Sequence, residues 1–124
     1  MYTLEKIDIN LHVASIEDTF VWYKTVLDWD SSCDLRDEQG RCLFGDVHYT
    51  YDEPLVGFNL HREANPGLPV GFHPLIKTTN IAALYEHVQQ HKVEIVAELA
   101  TQHWGRNFQM KDCNGFVLEF WEAI

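Results

Sequence analysis

A chain of 124 residues with 46 % hydrophobic and 13 % aromatic content suits one globular domain and excludes disorder. Its formal net charge of −10 argues against nucleic acid, whose phosphates it would repel, and favours a cationic ligand. No apolar run approaches the ~20 residues of a membrane-spanning helix, and the start MYTLEKIDIN lacks a signal-peptide pattern, so a cytoplasmic setting is expected.

In chain order, KIDINLHV alternates as a strand does, with Ile7, Ile9, Leu11 and Val13 on one face and Asp8, Asn10 and His12 on the other. In SIEDTFVWYKTVL, Ser15 predicts an N-cap and Asp18 stands three residues on, close to a capping box. Ile16, Phe20, Tyr23 and Leu27 then form one stripe of an amphipathic helix. Trp22 and Tyr23 are adjacent, so they cannot both face a core, and Trp22 is expected to cover an edge or a partner chain. Residues 31–60 read as short strands, with the clearest turn at Asp37-Glu38-Gln39-Gly40. Their last strand places Val56, Phe58 and Leu60 opposite Gly57, Asn59 and His61.

The stretch REANPGLPVG reads as a linker, and after it the order repeats. HPLIKTT is a strand. Asn80 is expected to cap a helix striped by Ile81, Leu84, Tyr85 and Val88, and VEIVAEL is another strand. The chain ends in a hairpin around Asp112-Cys113-Asn114-Gly115. Beyond that turn Phe116, Leu118 and Phe120 share one face, while Val117, Glu119 and Trp121 share the other. Glu119 is thus a carboxylate on the second face of a strand whose first face is core. Three cysteines, Cys33, Cys42 and Cys113, odd in number and without CxxC spacing, argue against a disulfide framework or a zinc ribbon. They are expected to be small buried or half-buried residues.

Asp8 to Ser15 and His73 to Asn80 correspond at an offset of 65 residues. The expectation is one α+β domain over residues 1–124, with internal modules of about 1–61 and 72–124. Each would be a βαβββ unit too small to bury a core alone. Together they would form a curved mixed sheet around a cleft lined by Asp8, Asn59, His73 and Glu119.

Two stretches carry a resemblance to a known family. One is the opening strand running into a helix with Phe20, Tyr23 and Leu27. The other is the ending Trp104-Gly105-Arg106, Asp112-x-x-Gly115 and Leu118-Glu119, with Cys113 where the family turn has proline. In these the chain resembles the vicinal oxygen chelate superfamily, which includes glyoxalase I, bleomycin resistance proteins and extradiol dioxygenases. The resemblance implies four metal-ligand positions converging in the cleft, which fall on Asp8, Asn59, His73 and Glu119. His73 and Glu119 are the residue types that metal-dependent members use there, whereas Asp8 and Asn59 depart from the pattern.

One imidazole, two carboxylates and an amide oxygen could hold one divalent ion, Mn, Ni, Fe or Mg, with positions open for substrate. Glu119 or Asp8 would then shuttle a proton in a lyase, isomerase or dioxygenase reaction. The bland alternative is that these residues line a polar cleft and hydrogen-bond one another. In that case the chain would be a non-catalytic protein that sequesters a cationic drug or metabolite. The resemblance also implies a homodimer. His12 shares the face of Asp8, while His48, His61, His87, His91 and His103 show no ligand spacing, and surface positions are expected for most of them. Trp104-Gly105-Arg106 is read as a structural motif before a ligand-binding one.

Overall fold

The computed structural model describes residues 1–49, 56–67 and 71–124. Residues 50–55, within the expected strand region, and 68–70, within the expected linker, lie outside the described residues. The chain divides into two compact units, Met1–Pro66 and Gly67–Ile124.

The first unit runs β1 (Asn10–Val13), α1 (Ile16–Leu27), β2 (Asp30–Arg36), β3 (Cys42–Tyr49) and β4 (Val56–Arg62). The second runs β5 (Leu75–Lys77), α2 (Ile81–Gln90), β6 (Ile95–Gln102), β7 (Gly105–Lys111) and β8 (Val117–Ala123). Each is βαβββ, and the fold is α+β. The sheets have the same topology, β1-β4-β3-β2 and β5-β8-β7-β6, in which first and last strands pair in parallel and the rest antiparallel.

Each core lies between one sheet face and one helix. Leu11, Val13, Val47, Phe58 and Leu60 are buried with Ile16, Tyr23, Val26 and Trp29 in the first unit. Phe108, Met110, Leu118 and Phe120 are buried with Ile81 and Val88 in the second. The alternation along β4, β7 and β8 thus decides which side chains remain on the open face.

Several expectations need correction. The core row of the first strand begins only at Leu11, because Ile7 and Ile9 are 92 % and 38 % exposed. Both precede Asn10, where the ladder with β4 begins. The buried stripe of α1 is Ile16, Thr19, Tyr23 and Val26, so Phe20 and Leu27 sit at its margin. Thr19 can be buried there because its hydroxyl donates to the Ser15 carbonyl at 2.8 Å. Ser15 caps α1 as expected, its hydroxyl oxygen accepting from the Asp18 N–H at 3.1 Å.

Asn80 does not cap α2 with its side chain: it sits at φ 51°. The Ile81 N–H instead donates to the Glu122 carboxylate at 2.8 Å, so the last strand caps the helix. The final turn is longer than an Asn-Gly pair. Lys111 faces Val117 across the ladder, and the Asp112 carboxylate accepts from the N–H groups of Asn114 and Phe116, both at 2.9 Å. Cys33 and Cys42 are disulfide-bonded, contrary to the reading of their odd number. Neighbouring strands β2 and β3 bring their Cα atoms to 6.0 Å, and Cys113 stays outside any disulfide and is exposed.

Candidate functional site

Glu119 lies on β8 between the buried side chains of Leu118 and Phe120, so its own side chain points to the open face of the second sheet. Its N–H donates to the Pro74 carbonyl at 3.0 Å, which fixes His73 beside it. His73 Nε2 stands 2.9 Å from Glu119 Oε1. The neighbouring strand β7 adds two amides: Gln109 Nε2 donates to Oε1 at 2.9 Å and Asn107 Nδ2 to Oε2 at 3.2 Å. Three donors thus converge on one carboxylate whose side chain is 13 % exposed, beside an imidazole that is 46 % exposed. A charge this sheltered needs such partners to offset its desolvation.

Asp8 and Asn59 occupy the corresponding place in the first unit. The Asn59 N–H donates to the Ile9 carbonyl at 2.8 Å, matching the Glu119–Pro74 bond at the 65-residue offset of the first strand. The side chains differ. Asp8 pairs with Lys6 at 3.5 Å on the surface, and Asn59 Nδ2 donates to Asn10 Oδ1 at 3.3 Å. The sheltered acid of this face is Asp46, which stands opposite Asn59 as Gln109 stands opposite Glu119. Acid and amide have exchanged strands between the units.

Asp46 accepts from the Ser32 hydroxyl at 2.6 Å and is in contact with His48 Nδ1. His48 is therefore no free surface histidine. Farther along, His12 and His61 stack at 5.1 Å and Phe44 tilts onto His61 at 4.8 Å, one aromatic row across β1, β4 and β3. Sequence reasoning passed over Asp46, Asn107 and Gln109 and gave His48 no role. The signal was present in the alternation of LFGDVHY and GRNFQMK, which puts each polar pair opposite the buried row.

Trp104-Gly105-Arg106 has a structural task. Arg106 pairs with Glu122 at 3.1 Å, and Glu122 caps α2. The Ile81 N–H, then the Arg106 guanidinium, hold the Glu122 carboxyl below its ordinary value against the opposing effect of burial. Gly105, at φ 149°, lets β7 approach β8 so closely that a Cβ would strike the Glu122 carbonyl. Trp104 meets the edge of Trp121 at 6.0 Å, and Lys77 lies over the Trp121 ring at 5.1 Å. Trp22 is half-buried, edge-on to Tyr23 at 5.0 Å.

The described residues contain no group of three or more His, Cys, Asp or Glu side chains placed to hold a metal. Each unit taken alone is short of donors for a six-coordinate ion. The second offers His73 and a Glu119 whose two oxygens are already engaged. The first offers Asn59 and an Asp8 tied to Lys6.

Comparison with known proteins bears on the fold and on the family. The chain is similar to a glyoxalase-related enzyme from Clostridium phytofermentans at 24 % identity and TM-score 0.81, covering 99 % of this chain and 98 % of that one. It is similar to a glyoxylase/bleomycin resistance protein/dioxygenase domain from Frankia sp. EAN1pec at 16 % identity and TM-score 0.75, covering 98 % and 94 %. TnmS3, an antibiotic binding protein from Streptomyces sp. CB03234, matches at 18 % identity and TM-score 0.69, covering 99 % and 100 %. At these identities the likeness establishes the fold alone. A search of curated proteins finds no match. The profile of one family spans residues 7–120, nearly the whole chain, and on that match the chain belongs to the Glyoxalase/Bleomycin resistance protein/Dioxygenase superfamily, the vicinal oxygen chelate group.

Proposed function

We propose that this chain binds a small, cationic organic molecule on its polar strand faces and holds it without a resident metal. The observation that carries this reading is the state of Glu119. Its oxygens are held by His73, Gln109 and Asn107, which makes it a fixed negative charge in a sheltered place. A metal would have to displace those donors, whereas a cationic ligand can dock against the charge and keep them. The net charge of −10 and the Trp104–Trp121 ring pair of the same unit suit a cation with flat apolar parts. The likeness to an antibiotic binding protein is in keeping with this.

A metal-dependent lyase, isomerase or dioxygenase is the second reading. It is favoured by the equivalent placement of Asp8 with Asn59 and of His73 with Glu119 in the two units. Calorimetric titration with Mn²⁺, Ni²⁺ and Fe²⁺ separates the two. No saturable binding is expected, and saturable binding that His73→Ala abolishes would replace the first reading with the second. Pairing of two copies is part of the proposal, since Leu4, Ile7 and Val21 are 90 %, 92 % and 66 % exposed on a single chain.

A further inference from the structure

Among the described residues, three histidines face a carboxylate: His12 with Glu63, His73 with Glu119 and His48 with Asp46. They differ in which ring nitrogen is engaged and in how much water surrounds the pair. His12 and Glu63 stand 3.5 Å apart and both are more than half exposed, a contact that solvent screens. His73 engages Nε2, which leaves only Nδ1, the nitrogen crowded by its own backbone. His48 engages Nδ1, and the side chains of the pair are only 25 % and 26 % exposed.

An ionised carboxylate can only accept, so the Nδ1 facing Asp46 carries the hydrogen. The far nitrogen, Nε2, then holds the lone pair of the neutral ring. Asp46 cannot swing freely, because Ser32 Oγ donates to its other oxygen at 2.6 Å. The cross-strand neighbour of His48 on β4 is Gly57, which has no side chain to lay over the ring, and on β2 it is Asp30, whose carboxylate accepts from Lys24. A Cβ on Gly57 would stand 3.0 Å from His48 Cα and Cβ. Among the described residues of the first unit, Nε2 has no hydrogen-bond partner. An imidazole fixed through Nδ1 by a carboxylate, with Nε2 free, is the arrangement of a general base.

We propose that Asp46 and His48 form a proton-accepting site on the open face of the first unit, in which His48 Nε2 takes the proton of a weakly acidic O–H, N–H or C–H group of a small-molecule ligand. The bond from that proton to the ligand breaks, its electron pair stays on the ligand, and Nε2–H forms. Asp46 stabilises the resulting imidazolium through Nδ1–H and receives no proton itself. This proposal does not rest on the cationic-ligand reading, since its residues lie in the other unit from His73 and Glu119.

Diethyl pyrocarbonate tests it without a known ligand, because the reagent acylates an unprotonated ring nitrogen. Nε2 attacks a carbonyl carbon, the ethyl carbonate group leaves, and with the displaced ring proton it breaks down to carbon dioxide and ethanol. Peptide mass spectrometry gives the rate at each histidine. At neutral pH His48 should react faster than its half-buried neighbour His61. Asp46→Asn should slow His48 several-fold and leave His12 and His73 unchanged, and Ser32→Ala, a milder change, should slow it less. A His48 that reacts more slowly than His61 in the wild type, or at the wild-type rate in both variants, overturns the proposal.

Discussion

Replacing Glu119 by glutamine keeps the shape of the side chain and removes only its charge and half of its accepting capacity. The structure predicts that this small change is costly. Oε1 accepts from His73 and Gln109, and Oε2 accepts from Asn107 at 3.2 Å. A glutamine can place its oxygen at the first position, and its NH₂ then faces the NH₂ of Asn107. Asn107 cannot simply turn over, because its Oδ1 already accepts from Gln102 Nε2 at 3.4 Å. Two hydrogen bonds to a charge become neutral ones, at roughly 0.5–1 kcal/mol each, and one part-buried donor loses its acceptor at about 1 kcal/mol or more. Partial exposure of His73 trims the total, and a loss of about 2 kcal/mol is expected. For a domain whose stability is on the order of 5–15 kcal/mol this is well within reach of urea denaturation. Tryptophan fluorescence is the readout, and the denaturant slope should be unchanged.

Asn107→Asp supplies the control. In the wild type it sets two carboxylates side by side and destabilises. In the Glu119→Gln background it offers an acceptor to the new NH₂ and recovers much of the loss. A glutamine variant within about 0.5 kcal/mol of wild type, or a strictly additive double variant, would refute the argument that the donors around Glu119 define this site.

Glu122 gives a pH prediction. Its folded carboxyl is held below the ordinary 4.5, so the folded state favours its charged form, and that contribution is full above the ordinary value and lost as pH falls through the folded value. The melting-temperature gap between wild type and Glu122→Gln should therefore be constant near neutrality and close on acidification below 4.5, and a gap that persists unchanged into acid would count against the helix-capping role. Light scattering at micromolar concentration should give twice the 14.5 kDa chain mass, and a monomer mass would remove self-association from the proposed function.

What the sequence determined by itself is local and periodic. The Ser15 cap, the turn at Asp37 and the buried rows of β4, β7 and β8 come from propensity and alternation, which need no knowledge of neighbours in space. The repeat of strand, helix and three strands was enough to place the fold class, and the alternation of the last strand put Glu119 on the face opposite its buried row. What remained for the tertiary structure is everything set by strand register. That Asp46 stands opposite Asn59, that Gln109 and Asn107 clamp Glu119, and that Cys33 meets Cys42 are facts about which residue of one strand lies beside which residue of another. The same holds for α2, whose cap comes from Glu122, 41 residues along the chain from Ile81. Ile7 and Ile9 make the point in reverse: their alternation is that of a core strand, but both are exposed and precede Asn10, where pairing with β4 begins. A period of two states which side chains share a face. Only the packed sheet decides what each face meets.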